Sequence, residues 1–80
     1  MLLYVNSIVE GSRLRSIYSG EPIVQAGLGS LLRLHKMAGR SVHEVEFEGV
    51  HAFKVLHPTG ELHAIHWLSP SDEGANTLLQ

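Results

Sequence analysis

The stretch between Val42 and Leu68 constrains the fold more than any other part of the chain. Its polar and apolar residues alternate, and two segments, Glu48-Gly49 and Pro58-Thr59-Gly60, have the composition of tight turns. Alternation over short segments is typical of strands that bury one face. The stretch therefore predicts a three-stranded antiparallel meander, and it also carries five of the six histidines.

The second turn determines the expected register of the last two strands. The segment from His57 to Glu61 is typical of a three-residue hairpin loop, with proline at the second position of a type I turn and glycine in a left-handed bulge position. Counting outward from this loop pairs the residues of the two strands. The expected pairs are Val55 with His63, Phe53 with Ile65, and His51 with Trp67.

The first turn leaves two interpretations open. A three-residue loop over Phe47-Glu48-Gly49 pairs Val45 with His51. A two-residue turn at Glu48-Gly49 instead pairs Val45 with Ala52 and moves the glutamates of that strand to the histidine face, because a shift of one residue reverses every side chain. In both interpretations apolar residues lie on both faces of the sheet.

Two further elements precede the meander. Residues 2–9 are rich in strand-favouring side chains and end at a turn signal, so they predict a strand. Residues 13–18 alternate again and form either its hairpin partner or an extended connection. The residues from Ser19 to Pro22 are typical of a helix start, and the helix is expected to end near Gly39. Its apolar stripe consists of Val24, Leu28, Leu31, Leu32, His35 and Ala38.

Two glycines, Gly27 and Gly29, lie inside this helix, where each costs up to about 1 kcal/mol relative to alanine. Close packing of the helix on the sheet is the main interpretation of both. A kink, or the close approach of a partner molecule, is the functional alternative. A helix that begins later along the chain is the third interpretation.

Together these elements predict an α+β fold: an N-terminal strand or hairpin, one α-helix, then a three-stranded antiparallel β-meander packed against the helix. Residues 1–68 are expected to form a single domain, and residues 69–80 a C-terminal tail with a short turn or a mobile end. One helix covers one face of a sheet. The other apolar face must then be covered by the tail, by another protein or by a second copy of the chain.

The composition excludes several classes of protein. The chain has no cysteine for a disulfide framework, and its N-terminus lacks the features of a signal peptide, which favours a cytoplasmic protein. No stretch approaches the roughly 20 apolar residues of a membrane-spanning helix, so no membrane partner is expected. A formal net charge of -2 gives no general attraction to nucleic acid. No catalytic or cofactor motif is present, so neither an enzymatic activity nor a cofactor is expected.

The histidines are the most chemically distinctive residues. His51, His57 and His63 share one face of the predicted sheet, whereas His66 faces the other, because three residues along a strand reverse the side. This split argues against a zinc site, and no metal ligand is assigned. Ordinary half-buried or surface histidines are the main interpretation. A histidine-based metal or pH-responsive module is an alternative function, since imidazole titrates near neutral pH.

Basic residues suggest a second alternative, a nucleic-acid-binding protein with a basic patch at the C-terminal end of the helix. Such a patch requires the helix end and the segment from residue 13 to 15 to be adjacent in space. Solvation of an ordinary helix end is the simpler interpretation. The residues of this alternative site are Arg13, Arg15, Arg33, Lys36 and Arg40.

The leading functional prediction is a small non-enzymatic protein-binding module: an inhibitor, an adaptor or a self-associating subunit such as a homodimer. Its partner is another protein or a second copy of the chain, bound through the uncovered sheet face. The candidate protein-binding residues are Phe53, Val55, Ile65, Trp67, His51 and His63. In size and composition the chain resembles small phage or mobile-element proteins that act by binding another protein, a likeness that assigns no site.

Overall fold

The computed structural model describes residues 2–19 and 21–69, in which one helix lies across a five-stranded antiparallel sheet. The elements are β1 (Leu2–Val9), β2 (Ser12–Ser19), α1 (Glu21–Met37), β3 (Ser41–Phe47), β4 (Val50–Leu56) and β5 (Leu62–Ser69). The predicted α+β fold is confirmed, and residues 13–18 belong to the hairpin partner of β1. Residues 70–80, where most of the tail was expected, lie outside the described residues, as does Gly20 of the predicted helix start.

The strand order is β2-β1-β5-β4-β3, so the N-terminal hairpin and the C-terminal meander form one continuous sheet. They join through antiparallel pairing of β1 with β5, which places Val5 opposite Leu68 and Ser7 opposite His66. β5 thus lies at the centre of the sheet, and its residues from Ala64 to Trp67 are all buried. This central strand contributes buried side chains to both faces of the sheet.

Both two-residue turns place their residues in the left-handed region of the backbone. Glu10 and Gly11 have φ values of 47° and 88°, and Glu48 and Gly49 have values of 51° and 81°. Two consecutive residues with positive φ are the mark of the type I′ hairpin turn. Val45 consequently pairs with Ala52. The two-residue interpretation of the first meander turn is confirmed, and the three-residue loop is wrong.

The β4–β5 loop has the predicted geometry, but the strands beyond it do not have the predicted register. Gly60 is left-handed with a φ of 94°, and the His57 amide donates to the Glu61 carbonyl at 2.8 Å. Leu56 then pairs with Leu62, whereas Val55 pairs with Ala64, which leaves His63 as the extra residue of a β-bulge. The predicted pairing of Val55 with His63 is wrong because of this bulge.

The helix covers one face of the sheet with most of the predicted apolar stripe, but Ala38 is exposed and lies beyond the end of α1. Val24, Leu28 and His35 are buried, and the first two form a core with Val5 of β1. Leu3, Leu32, Phe53 and Leu68 pack around that core. Neither α1 nor any other segment within residues 2–19 and 21–69 forms a helix long and apolar enough to cross a membrane.

The helix ends close to its predicted position, and its end brings Arg40 next to His35. Gly39 adopts a φ of 86°, and the Arg40 amide donates to the His35 carbonyl at 3.0 Å. A left-handed glycine after the last turn lets the chain reverse while it satisfies the terminal carbonyl groups. The sharp reversal leads directly into β3.

The glycine at position 29 is not explained by close packing. Gly29 lies on the exposed side of α1, and a Cβ atom built there would meet, within 4 Å, no atom of the described residues beyond its chain neighbours and the adjacent helix backbone. The close-packing interpretation is therefore wrong at this position.

Replacing Gly29 with alanine is expected to raise the free energy of unfolding by about 1 kcal/mol, because alanine restricts the unfolded chain and favours the helix. The measurement is urea unfolding followed by circular dichroism. Gly39→Ala is the matched control, which should lower the stability since the φ of 86° strains any residue with a Cβ atom. A Gly29→Ala variant less stable than the native chain would contradict the open environment described here.

The second apolar face closes partly on itself. Ala52, Ile65 and Trp67 form a buried core there, with Ile8, Val45 and Phe47 packed around it. Arg13 of β2 lies within 3.7 Å of Glu48 at the β3–β4 turn, although β2 and β3 are opposite edges of the sheet. Such an approach requires a strongly coiled sheet. Coiling therefore contributes to the burial of the face that α1 leaves uncovered.

Candidate functional site

A chain of hydrogen bonds runs from the end of α1 into the middle of the sheet. Arg40 Nη1 lies 3.2 Å from His35 Nδ1, His35 Nε2 lies 2.9 Å from His66 Nε2, and His66 Nδ1 lies 2.6 Å from Ser7 Oγ. The rings of His35 and His66 stack, with their centroids 5.1 Å apart. Ser7, His35 and His66 are all buried. The polar chain thus lies between the helix and the sheet, beside the apolar core.

Arg40 sets the direction of every proton in this chain, because a guanidinium group only donates. His35 Nδ1 must accept from Arg40, so neutral His35 carries its proton on Nε2 and donates it to His66 Nε2. His66 then carries its own proton on Nδ1 and donates it to Ser7 Oγ. Each histidine is therefore held in one defined neutral tautomer.

Burial keeps both of these histidines neutral. It is the main cause that lowers the pKa of His66 to about 4, and repulsion from His35 and His63 contributes less to the same shift. Burial also lowers the pKa of His35, with the Arg40 guanidinium as the second cause. A second proton on His66 would point at the Nε2–H of His35. The folded protein therefore requires both histidines to be neutral, and acid is expected to destabilise it.

A second polar group lies at the surface, where the β1–β2 turn meets the β4–β5 loop. The carboxylate of Glu10 accepts from His57 Nε2–H at 3.0 Å and from His63 Nδ1–H at 3.2 Å. These hydrogen bonds, that of His63 first, lower the pKa of Glu10. The Glu10 side chain is 60 % exposed, whereas that of His63 is 12 % exposed. The group therefore opens to solvent on the carboxylate side.

The two polar groups are continuous through His63. Its ring lies 4.7 Å from the ring of His57 and 5.3 Å from that of His35, measured between centroids. His35, His57, His63 and His66, termed the histidine cluster below, therefore form one contiguous set. The bulge makes this possible, because the extra residue alters the side on which His63 projects. The prediction that strand parity separates His63 from His66 is wrong for that reason.

His51 does not join the histidine cluster, although the sequence places it with His57 and His63. It lies towards the other end of β4, where its ring contacts Phe53 edge-on at 5.2 Å and its Nε2 is 3.9 Å from Glu44. His51 and Glu44 are both exposed. The approach of Glu44 to His51 follows from the two-residue turn, which moves the glutamates of β3 to the face that carries His51.

The six predicted protein-binding residues do not share one face. Phe53 packs on the helix-side core, and Val55 pairs with Ala64 and is fully buried. Ile65 and Trp67 lie in the opposite core, each 8 % exposed. The prediction of a single apolar surface with these members is wrong, because the bulge in β5 shifts the register by one residue between the two strands.

The basic residues proposed for nucleic acid do not form a single patch. Arg13 pairs with Glu48, and Arg15 lies over the ring of Tyr4 at 4.5 Å from its centroid, on the sheet face opposite α1. Arg40 contacts His35 at the other face. Arg33 and Lys36 are exposed on the helix. The adjacency that the nucleic-acid alternative requires is absent among the described residues.

A ridge of apolar and small residues, exposed except for the half-buried Gly27, runs along the outer side of α1. The side chains of Ile23, Leu34 and Met37 are 57 %, 61 % and 76 % exposed. Gly27 and Ser30 lie between them, so the five residues follow one another at alternating intervals of four and three. That spacing places all five on one stripe of a helix. These five residues are termed the helix ridge below.

Comparison with protein-family models, with curated proteins and with solved structures finds no match for this chain.

Two members of these sites carry a signal in the sequence. His35 belongs to the predicted buried stripe of the helix. For Gly27, the close approach of a partner is one of the interpretations of a glycine inside a helix. Glu10 and Ser7 carried no signal of a role, because their partners lie more than 45 residues away along the chain. Only the pairing of β1 with β5 brings these residues together.

Proposed function

We propose that the protein is a non-enzymatic protein-binding module that associates with a second copy of itself through the helix ridge. The exposure of Ile23, Leu34 and Met37 on one stripe of α1 carries this proposal. Large apolar side chains that line up on a surface are typical of interaction sites, whereas isolated ones are ordinary. The proposed binding surface is therefore the helix ridge and not the sheet face that the sequence indicated.

The order of large and small residues favours a second copy as the partner. Ile23 and Leu34 have the same midpoint along the helix as Gly27 and Ser30, between Leu28 and Gly29. A twofold axis at this point would set Ile23 against Leu34 of the second copy, and Gly27 against Ser30. Large residues would then flank a centre of small residues, where two helices can approach closely. Twofold dimers are the commonest symmetric assemblies, and they require a self-complementary surface of this kind.

The first test is the mass of the protein in solution as a function of concentration. Analytical ultracentrifugation should show the mass rise from 8.8 kDa towards twice that value. Leu34→Glu should keep the protein monomeric at concentrations where the native chain is dimeric, because a dimer would bury two carboxylates in an apolar contact. Leu62→Glu is the matched control, since Leu62 is half exposed on β5 outside the ridge.

A native chain that stays monomeric up to millimolar concentration would overturn the proposal. So would a Leu62→Glu variant that dissociates as readily as Leu34→Glu. The far-ultraviolet circular dichroism of each variant should match that of the native chain, which separates loss of association from loss of folding.

A further inference from the structure

We propose that Glu10, His57 and His63 form a binding site for one divalent transition-metal ion of the zinc class, a site that goes beyond self-association through the helix ridge. The three ligand atoms, Glu10 Oε1, His57 Nε2 and His63 Nδ1, lie within 4.8 Å of one another. The carboxylate oxygen is 3.0 Å and 3.2 Å from the two nitrogens. A tetrahedral ion with bonds of about 2.1 Å holds its ligands about 3.4 Å apart. The two carboxylate–nitrogen distances are therefore within a few tenths of an ångström of the tetrahedral value, and the two imidazole nitrogens lie at most 4.8 Å apart.

The backbone holds the three ligands in place from three different elements. The Glu10 amide donates to the His63 carbonyl at 2.8 Å, which ties the β1–β2 turn to the bulge in β5. The His57 amide donates to the Glu61 carbonyl at 2.8 Å and closes the β4–β5 loop. The bulge itself directs His63 towards His57, and bulges commonly re-aim a side chain in this way. A site fixed by its scaffold loses little entropy when it binds its ion.

The donor set selects the class of metal. Two imidazole nitrogens and one carboxylate oxygen suit zinc and its neighbours, whereas magnesium and calcium require mainly oxygen ligands. His35 is close to His63 but is not a ligand, because both of its nitrogens are engaged, with His66 and with Arg40. Three protein ligands with an exposed carboxylate leave the remaining coordination position to water.

Titration of the full chain with zinc chloride at pH 7.5, followed by calorimetry, tests this site. One ion should bind per chain, and the ion should raise the Tm. Cobalt chloride should give the visible absorption of a four-coordinate ion, and magnesium chloride should give neither heat nor a shift. Glu10→Gln and His57→Gln should each weaken zinc binding at least 10-fold, because each replaces a metal ligand with a weakly coordinating amide.

His51→Gln is the matched control, since His51 is an exposed histidine outside the histidine cluster. It should bind zinc with the affinity of the native chain. The absence of zinc binding, or a Glu10→Gln variant with native affinity, would overturn the assignment. A Leu34→Glu variant should bind zinc normally, so failure of the metal site and failure of the dimer are separate results.

Discussion

Lowering the pH from 6.5 to about 4 is expected to remove on the order of 3 kcal/mol from the free energy of unfolding, because His66 must stay neutral in the folded protein. Burial lowers the pKa of His66 to about 4 from its ordinary 6.5. Between these values the unfolded chain binds a proton that the folded chain does not. The contribution of His66 is therefore complete above pH 6.5 and is lost progressively as the pH falls to about 4.

This loss is large for a domain of 80 residues, whose total free energy of unfolding is of the order of 4 to 12 kcal/mol. Two neighbouring groups act in the same direction. The pKa of His35 is also lowered, chiefly by burial, and the pKa of Glu10 is lowered by its hydrogen bonds with His63 and His57. The stability that each of these two groups contributes is present above the pKa of that group in the unfolded chain and is lost in acid.

Urea unfolding at several pH values between 7.5 and 4, in the presence of a chelator, measures this dependence without a contribution from bound metal. His66→Gln keeps one donor and one acceptor but has no proton to bind, so its stability should vary less over this range. His51→Gln, which alters an exposed histidine, should retain the native slope. A native chain that is equally stable at pH 7 and pH 4.5 would show that the buried pair does not control stability.

The local parts of the fold could be predicted from the sequence because short-range chemistry determines them. Glycines at positions 11, 49 and 60 take the left-handed conformations that their turns require. The helix follows from its apolar stripe and from Gly39 at its end. These features depend on residues a few positions apart, where propensity and spacing are informative.

The register of β5 could not be predicted, because no local pattern marks its bulge. Leu62, Ala64 and His66 alternate with His63 and Ile65 as they would in a regular strand. The bulge is held by contacts from elsewhere, such as the hydrogen bond from the Glu10 amide to the His63 carbonyl. A single extra residue reverses every later side chain, so this one feature changed both the histidine cluster and the predicted binding surface.

The hydrophobic cores on the two faces of the sheet are covered in different ways. Beneath α1, the helix supplies Val24 and Leu28 to cover Val5. On the opposite face the described residues include no second helix, and Trp67 fills the centre of the coiled sheet. Its ring lies 5.3 Å from that of Phe47, measured between centroids, and Trp67 pairs with Ala52 on β4 and Asn6 on β1. Trp67 of β5 therefore packs in one cluster with residues of β1, β3 and β4.

Trp67→Ala is accordingly expected to lower the free energy of unfolding by about 3 to 5 kcal/mol, since it removes a buried aromatic side chain and leaves a cavity. Trp67 is only 8 % exposed, so the substitution acts on the core and not on an interaction surface. Because Trp67 is the only tryptophan, urea unfolding should be followed by circular dichroism instead of fluorescence. Leu62→Ala, at a half-exposed position on the same strand, is the matched control and should cost well under 1 kcal/mol.

If Trp67 acted mainly as a contact for another molecule, its removal would leave the urea midpoint close to that of the native chain and would weaken association instead. A dimer that forms through the helix ridge does not involve Trp67, because α1 packs on the other face of the sheet. Every Trp67→Ala molecule that remains folded should therefore still associate. Measuring stability and mass on the same variant therefore distinguishes a core tryptophan from an interface tryptophan.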